Sequence, residues 1–108
     1  MTQSEFGVIL VTAGSKAQAE MLARSLVAAK LAACVTLLPV QSVYTWREEI
    51  HQEEEWQLVI KSKLDRFAEL EAKIRELHSY EVPEIIALPI VQGSHPYLQW
   101  ISQQVTPQ

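Results

Sequence analysis

The stretch HSYEVPEIIALPI, His78–Ile90, crowds one imidazole (His78), one phenol (Tyr80) and two carboxylates (Glu81 and Glu84) around Pro83. A helical apolar pattern stops just before it and a strand-like run follows it, so the residues sit at a corner between helix and strand. Carboxylates and a phenol at such a corner could line a cleft for a small polar ligand or a cation, above all where a neighbouring subunit forms the second wall. The plainer reading is structural: Pro83 fixes the strand entry, and Glu81 and Glu84 accept hydrogen bonds from nearby backbone or arginine. Sequence alone leaves both open. His78 reads either as an exposed metal ligand or as a last-turn residue that suits the helix macrodipole.

Other side chains carry weaker signals. Cys34, in AACV, could offer a soft thiolate to copper or zinc, yet a free cysteine among alanines and valine in a strand is more often a small core residue. Glu48, Glu49, Glu53, Glu54 and Glu55 cluster around REEIHQEE. They could draw cations weakly, and a charged hairpin tip that discourages sheet aggregation explains them more simply. His51 and His95 fall on expected polar turns and receive no role.

The elements that must position these residues follow from the apolar periodicities. FGVILVTA (Phe6–Ala13) is a β-branched run ended by Gly14, as in a buried strand. Ser15 followed by Gln18 has capping-box spacing, and Ala19, Leu22, Ala23, Leu26 and Val27 give a first helix over about Lys16–Lys30. AACVTLL is strand-like up to Pro39, which suits an edge or a bulge. Beyond it QSVYTWREE resumes β character, and EEWQLVIKS supplies a partner in which Trp56, Leu58 and Ile60 share one face. Phe67, Leu70, Ile74 and Leu77 stripe a second helix, with Glu69–Lys73 and Glu71–Arg75 spaced as i,i+4 pairs on its wet side. EIIALPIV is a fourth strand, near an edge at Pro89, and Pro96 precedes a short closing helix, YLQWISQQ. The order βαββαβ plus a terminal helix predicts an α+β, ferredoxin-like domain over 1–108: an antiparallel sheet with the helices on one face.

One strand outgrows that frame. If Pro39 marks only a bulge, the second strand continues from Ala32 to about Glu49 and reaches on the order of 55 Å, whereas helices of about 15 residues cover only about 22 Å. The β2–β3 hairpin must then project as an arm carrying Tyr44 and Trp46, with Trp56 near its base. Exposed aromatic strands with open edges are normally covered, so the arm predicts pairing with further copies of the chain in a closed ring. A chain that breaks at Pro39 and folds the hairpin home is the alternative.

Composition narrows the class. A chain of 108 residues, 48% hydrophobic and 20% charged, has the makings of one compact domain. A net charge of −4 disfavours nucleic acid. The single cysteine precludes an internal disulfide, the start MTQSEFGVILVTAG shows no basic leader, and no apolar stretch is long enough to span a bilayer, so a cytoplasmic location is expected. The loop TAGSK lacks both the arginine of an acylphosphatase-like enzyme and the CxxC of a soft-metal carrier, and no nucleophile constellation or glycine-rich phosphate loop is apparent. An enzyme is the least supported class.

KLAACVTLLPVQSVYTWREEI, SYEVPEIIALPI and GSHPYLQWI, in that order and spacing, closely resemble the CutA family, the divalent-cation tolerance proteins. The resemblance covers almost the whole chain. It implies a homotrimer of ferredoxin-like subunits, similar in architecture to PII-type signalling proteins, with a link to copper tolerance and to binding of copper and other divalent cations. This chain departs from the family in HSYEVPE, where Ser79 replaces a common proline and implies a less rigid loop. The family's metal ligands fall on Val11, Leu77 and His78, and only His78 keeps a ligating side chain. The resulting expectation is a cytoplasmic homotrimer that is not an enzyme and requires no cofactor. It binds copper or another divalent metal ion at an intersubunit cleft and has no nucleic-acid or membrane partner. His78 and Cys34 are the expected metal ligands, Tyr80, Glu81 and Glu84 the cleft lining, and Tyr44, Trp46 and Trp56 the oligomer interface. A PII-like signalling module that takes a small ligand in the same cleft is the alternative, as is a stable trimeric scaffold with incidental metal binding.

Overall fold

The computed structural model describes residues 5–106, so the first four residues of the stretch MTQSEFGVILVTAG lie outside them. The chain runs β1 (Phe6–Ala13), α1 (Lys16–Ala28), β2 (Cys34–Trp46), β3 (Glu49–Lys63), a short 3-10 turn (Leu64–Arg66), α2 (Phe67–Leu77), β4 (Ile85–Pro89) and α3 (His95–Gln104). The strands form one antiparallel sheet in the order β2-β3-β1-β4, with β1 and β3 central. This is the ferredoxin-like α+β arrangement that the periodicities predict.

The period of two sorts side chains onto the two faces. Ile9 and Val11 of β1 lie opposite Ile60 and Leu58 of β3, and all four are fully buried. Against this face pack Ala19, Leu22 and Leu26 of α1 and Leu70 and Ile74 of α2, the stripes read from the sequence. Ser15 caps α1 by accepting from the Gln18 N–H at 3.2 Å. Gln18 does not complete a capping box; its Oε1 accepts from Ser79 Oγ at 3.2 Å and so ties the start of α1 to the corner after α2. The third helix starts at a Ser94 cap with Pro96 in its first turn. Its Ile101 and Val105 are buried, and the Thr106 N–H donates to the Lys30 carbonyl at 3.0 Å.

Several expectations need correction. The first helix stops at Ala28 rather than Lys30, because Lys30 adopts a left-handed φ of 61° and the Leu31 N–H returns to the Leu26 carbonyl at 3.0 Å, a Schellman closure. Pro39 is neither a break nor a bulge; it sits in unbroken register opposite Trp56 on the edge strand, where a missing N–H is tolerated. The hairpin tip is not the whole segment REEIHQEE but two residues, Arg47 and Glu48, with φ of 53° and 68°. Both being left-handed, they make the I′ geometry that matches strand twist. His51 therefore lies in β3, its ring stacked 5.5 Å from Tyr44, and His95 opens α3.

The long arm is real, though shorter than expected. At roughly 3.3 Å per residue β2 spans about 40 Å, and the molecule measures 43 Å along its longest axis. Because β1 ends at Ala13, opposite Trp56, the seven β2–β3 pairs from Val40–Glu55 to Trp46–Glu49 continue without a third strand beside them. The arm's apolar side chains face water: Val43 is 66% exposed and Ile50 81%. On the sheet face away from α1 and α2, Leu38, Ile86 and Leu88 are exposed as well. Among the described residues no helix is long and apolar enough to cross a membrane.

Candidate functional site

Where β1 stops short of the arm, the corner after α2 fills part of the gap and leaves a cleft of about 700 Å³. One wall is the arm, with Ser42, Tyr44 and Trp46; the other is the Ser79–Glu84 corner; Thr12 and Glu55 lie between. The three residues expected to line a cleft, Tyr80, Glu81 and Glu84, do line one. Within one chain, the wall that faces these residues is the chain's own arm. Arg47 at the tip closes the span, with its Nη2 3.2 Å from Glu81 Oε2 and its guanidinium carbon 5.5 Å from the centre of the Trp46 ring.

The register explains how Glu55 comes to face the cleft. Trp56, Leu58 and Ile60 point to the helices, so Glu53, Glu55 and Gln57 point the other way. Glu55 is only 5% exposed, and its Oε2 accepts a hydrogen bond of 2.7 Å from the Tyr80 hydroxyl. Tyr44 does the same for Glu53, also at 2.7 Å. Burial of the Tyr80 phenol, reinforced by the Glu55 carboxylate beside it, pushes its pKa well above the ordinary tyrosine value. The hydrogen bond to Glu53 raises the pKa of Tyr44. Both phenols thus stay protonated donors across the physiological range.

His78 holds this corner from beneath. It caps the end of α2 and is 9% exposed. Its Nδ1 accepts from the Tyr80 N–H at 3.0 Å, which leaves Nε2 to carry the ring proton and donate to the Thr12 carbonyl at 2.7 Å. With both nitrogens engaged, the imidazole has no lone pair to give a metal. Gly14 completes the fit, since a Cβ there would stand 3.1 Å from the Tyr80 hydroxyl.

The structure does not bring the two expected metal ligands together. Cys34 pairs with Lys61 at the opposite end of β3 from the cleft, with its thiol 4.0 Å from Thr36 Oγ1. Tyr97 of α3 also reaches this thiol: burial first, and then the cysteine beside it, raises the Tyr97 pKa. Val11 and Leu77 pack in or against the apolar core. Among the described residues, no three His, Cys, Asp or Glu side chains converge closely enough to hold a metal ion. Trp56, assigned to the interface by its sequence, packs at the root of the arm against the core, with Lys16 Nζ 5.6 Å from its ring centre. Tyr44 and Trp46 lie on the arm as expected. Sequence reasoning counted Glu55 only among the hairpin carboxylates that could draw cations, and it gave Thr12 and Gly14 no role at the site.

The whole domain, corner and arm included, matches a family of known proteins. The family model described as CutA1 divalent ion tolerance protein matches residues 7–104. The chain belongs to this family. The divalent-cation tolerance protein CutA of Thermus thermophilus is 39% identical to it over 97 residues, 89% of this chain and 94% of that one. The crystal structure of CutA1, described as a stable protein, from the psychrotrophic bacterium Shewanella sp. SIB1 superposes with a TM-score of 0.94 at 38% identity, covering 98% of this chain and all of that one. The Archaeoglobus fulgidus CutA structure, described as that of a periplasmic divalent cation tolerance protein, gives 0.92 at 36% identity over 94% of this chain and 99% of that one. The family is named for tolerance of divalent ions and not for a catalysed reaction.

Proposed function

We propose that this CutA-family protein is a homotrimer without catalytic activity, and that it binds a small polar ligand in the cleft between its arm and the Ser79–Glu84 corner. One observation carries the ligand reading. The cleft has the volume of a small-molecule site, with carboxylate and aromatic walls, while no cluster of three metal-ligating side chains forms among the described residues. Assembly is supported by the open edges and exposed apolar faces of the arm, which a soluble protein covers by association. Three copies is the number that the sequence resemblance implies, and a PII-like arrangement would set each cleft near a subunit boundary.

A divalent cation is the second reading, favoured by the carboxylates of Glu55, Glu81 and Glu84 on the same cleft. These oxygens suit a hard or borderline ion better than copper, and a neighbouring copy would have to complete its coordination. Cys34, remote from the cleft, and His78, with no free lone pair, position structure in either reading. The cytoplasm is the proposed compartment, on the strength of the single cysteine.

Light scattering at micromolar concentration tests the assembly: three chain masses are expected, and a monomer mass overturns it. Calorimetric titration of metal-free protein with Mn²⁺, Zn²⁺ and Cu²⁺ tests the ligand reading. Tight, saturable copper binding lost in both His78→Ala and Cys34→Ser would overturn it.

A further inference from the structure

The contacts of Arg47 disclose what kind of ligand the cleft takes. Its guanidinium lies over the face of Trp46, 5.5 Å from the ring centre, and donates from Nη2 to Glu81 Oε2 at 3.2 Å. Trp46 and Glu81 both line the cleft, on opposite walls. An aromatic face and a carboxylate that together hold a flat cation form a recognition site for one. The chain satisfies that site with its own side chain, and does so from a backbone position with a φ of 53°, costly for any residue but glycine. Deeper in, Glu55 is 5% exposed and takes one hydrogen bond from Tyr80, so a second carboxylate faces the same space.

We propose that the cleft binds a small molecule bearing a guanidinium group, free of carboxylates, and that Arg47 is the internal stand-in such a ligand displaces. This deepens the small-ligand reading above and rests on it. The ligand's guanidinium takes the place of Arg47 between Trp46 and Glu81, and the released tip of the arm is the readout of occupancy. The displaced contact costs the ligand little, because Arg47 and Glu81 have side chains 74% and 70% exposed, and such a pair is held weakly.

The test is calorimetric titration of the native oligomer with agmatine, and separately with Mn²⁺, for wild type, Arg47→Ala, Glu81→Gln and Trp46→Leu. Circular dichroism and light scattering verify that each variant folds and assembles as wild type does. Saturable agmatine binding is expected, tightened about two- to fivefold in Arg47→Ala by removal of the competitor, and weakened at least about fivefold in Glu81→Gln and Trp46→Leu. Agmatine binding unchanged in Glu81→Gln, or weakened in Arg47→Ala, overturns the proposal. If neither wild type nor Arg47→Ala binds agmatine while Mn²⁺ binds, the guanidinium proposal fails and the cleft is a metal site. If neither probe binds, the cleft reading fails with it.

Discussion

Replacing Tyr80 by Phe removes one oxygen and nothing else, and the oxygen it removes holds a carboxylate that water hardly reaches. Glu55 is 5% exposed and receives the Tyr80 hydroxyl at 2.7 Å. A hydrogen bond to a charged group contributes about 1.5–3 kcal/mol, and a buried carboxylate that loses its donor forfeits the upper part of that range. The cleft is open to solvent on one side, so a water can replace the phenol in part, and the expected loss is about 1.5–2 kcal/mol, more than tenfold in the folding equilibrium. The measurement is guanidinium chloride unfolding at fixed protein concentration, because association shifts apparent stability. A double-mutant cycle isolates the pair: Tyr80→Phe should cost about 1.5–2 kcal/mol with Glu55 present and a few tenths with Glu55→Ala. Equal costs in the two backgrounds would refute the reasoning. The phenol also sets a pH dependence. Its folded pKa lies above the ordinary value of 10.0, so the folded state holds that proton more tightly. The contribution is complete below about pH 10 and is lost as pH rises beyond it, and wild type should lose stability more steeply there than Tyr80→Phe.

Further outcomes follow from the same geometry. Gly14→Ala sets a Cβ 3.1 Å from the Tyr80 hydroxyl and should cost about 1 kcal/mol, but much less in a Tyr80→Phe background, where the nearest ring carbon is 3.5 Å away. Glu48→Gly, at a φ of 68°, and Lys30→Gly, at 61°, relieve left-handed strain and should each raise stability by about 0.5–1 kcal/mol, read as a higher melting temperature. Ser62→Ala deletes a fully buried hydroxyl that donates to the Leu31 carbonyl at 2.6 Å and should cost about 1–2 kcal/mol in chemical unfolding; a loss under a few tenths would mean that the carbonyl finds another donor.

The fold was legible because every core element carries a strong period. Trp56, Leu58 and Ile60 declare one face of β3, and Leu70 and Ile74 the inward stripe of α2. What escaped was decided by backbone that gives no residue signal. A left-handed Lys30 ends α1 where glycine would have announced it, and Arg47–Glu48 turns the hairpin without the Asn-Gly that marks such turns. Missing that turn spread the tip across REEIHQEE and so hid residues 49–53 of β3, the part that carries the arm beyond EEWQLVIKS.

The corner residues Tyr80, Glu81 and Glu84 could be placed on a cleft from their types alone, yet what they meet there depends on a length. Were β1 to run on past Ala13, it would pair with β3 beside Glu55 and fill the space that Tyr80 enters. The cleft exists because the central strand ends at Ala13 while β3 and β2 run on, and Gly14 in turn leaves room for the Tyr80 hydroxyl. His78 reads as a ligand in isolation. In that gap it is instead the brace that joins the last residues of β1 to the corner, with one nitrogen on each. The same shortfall in β1 that makes the arm an unfinished sheet therefore makes the cleft, which ties the proposed ligand binding and the proposed assembly to one stretch of chain, residues 40–55.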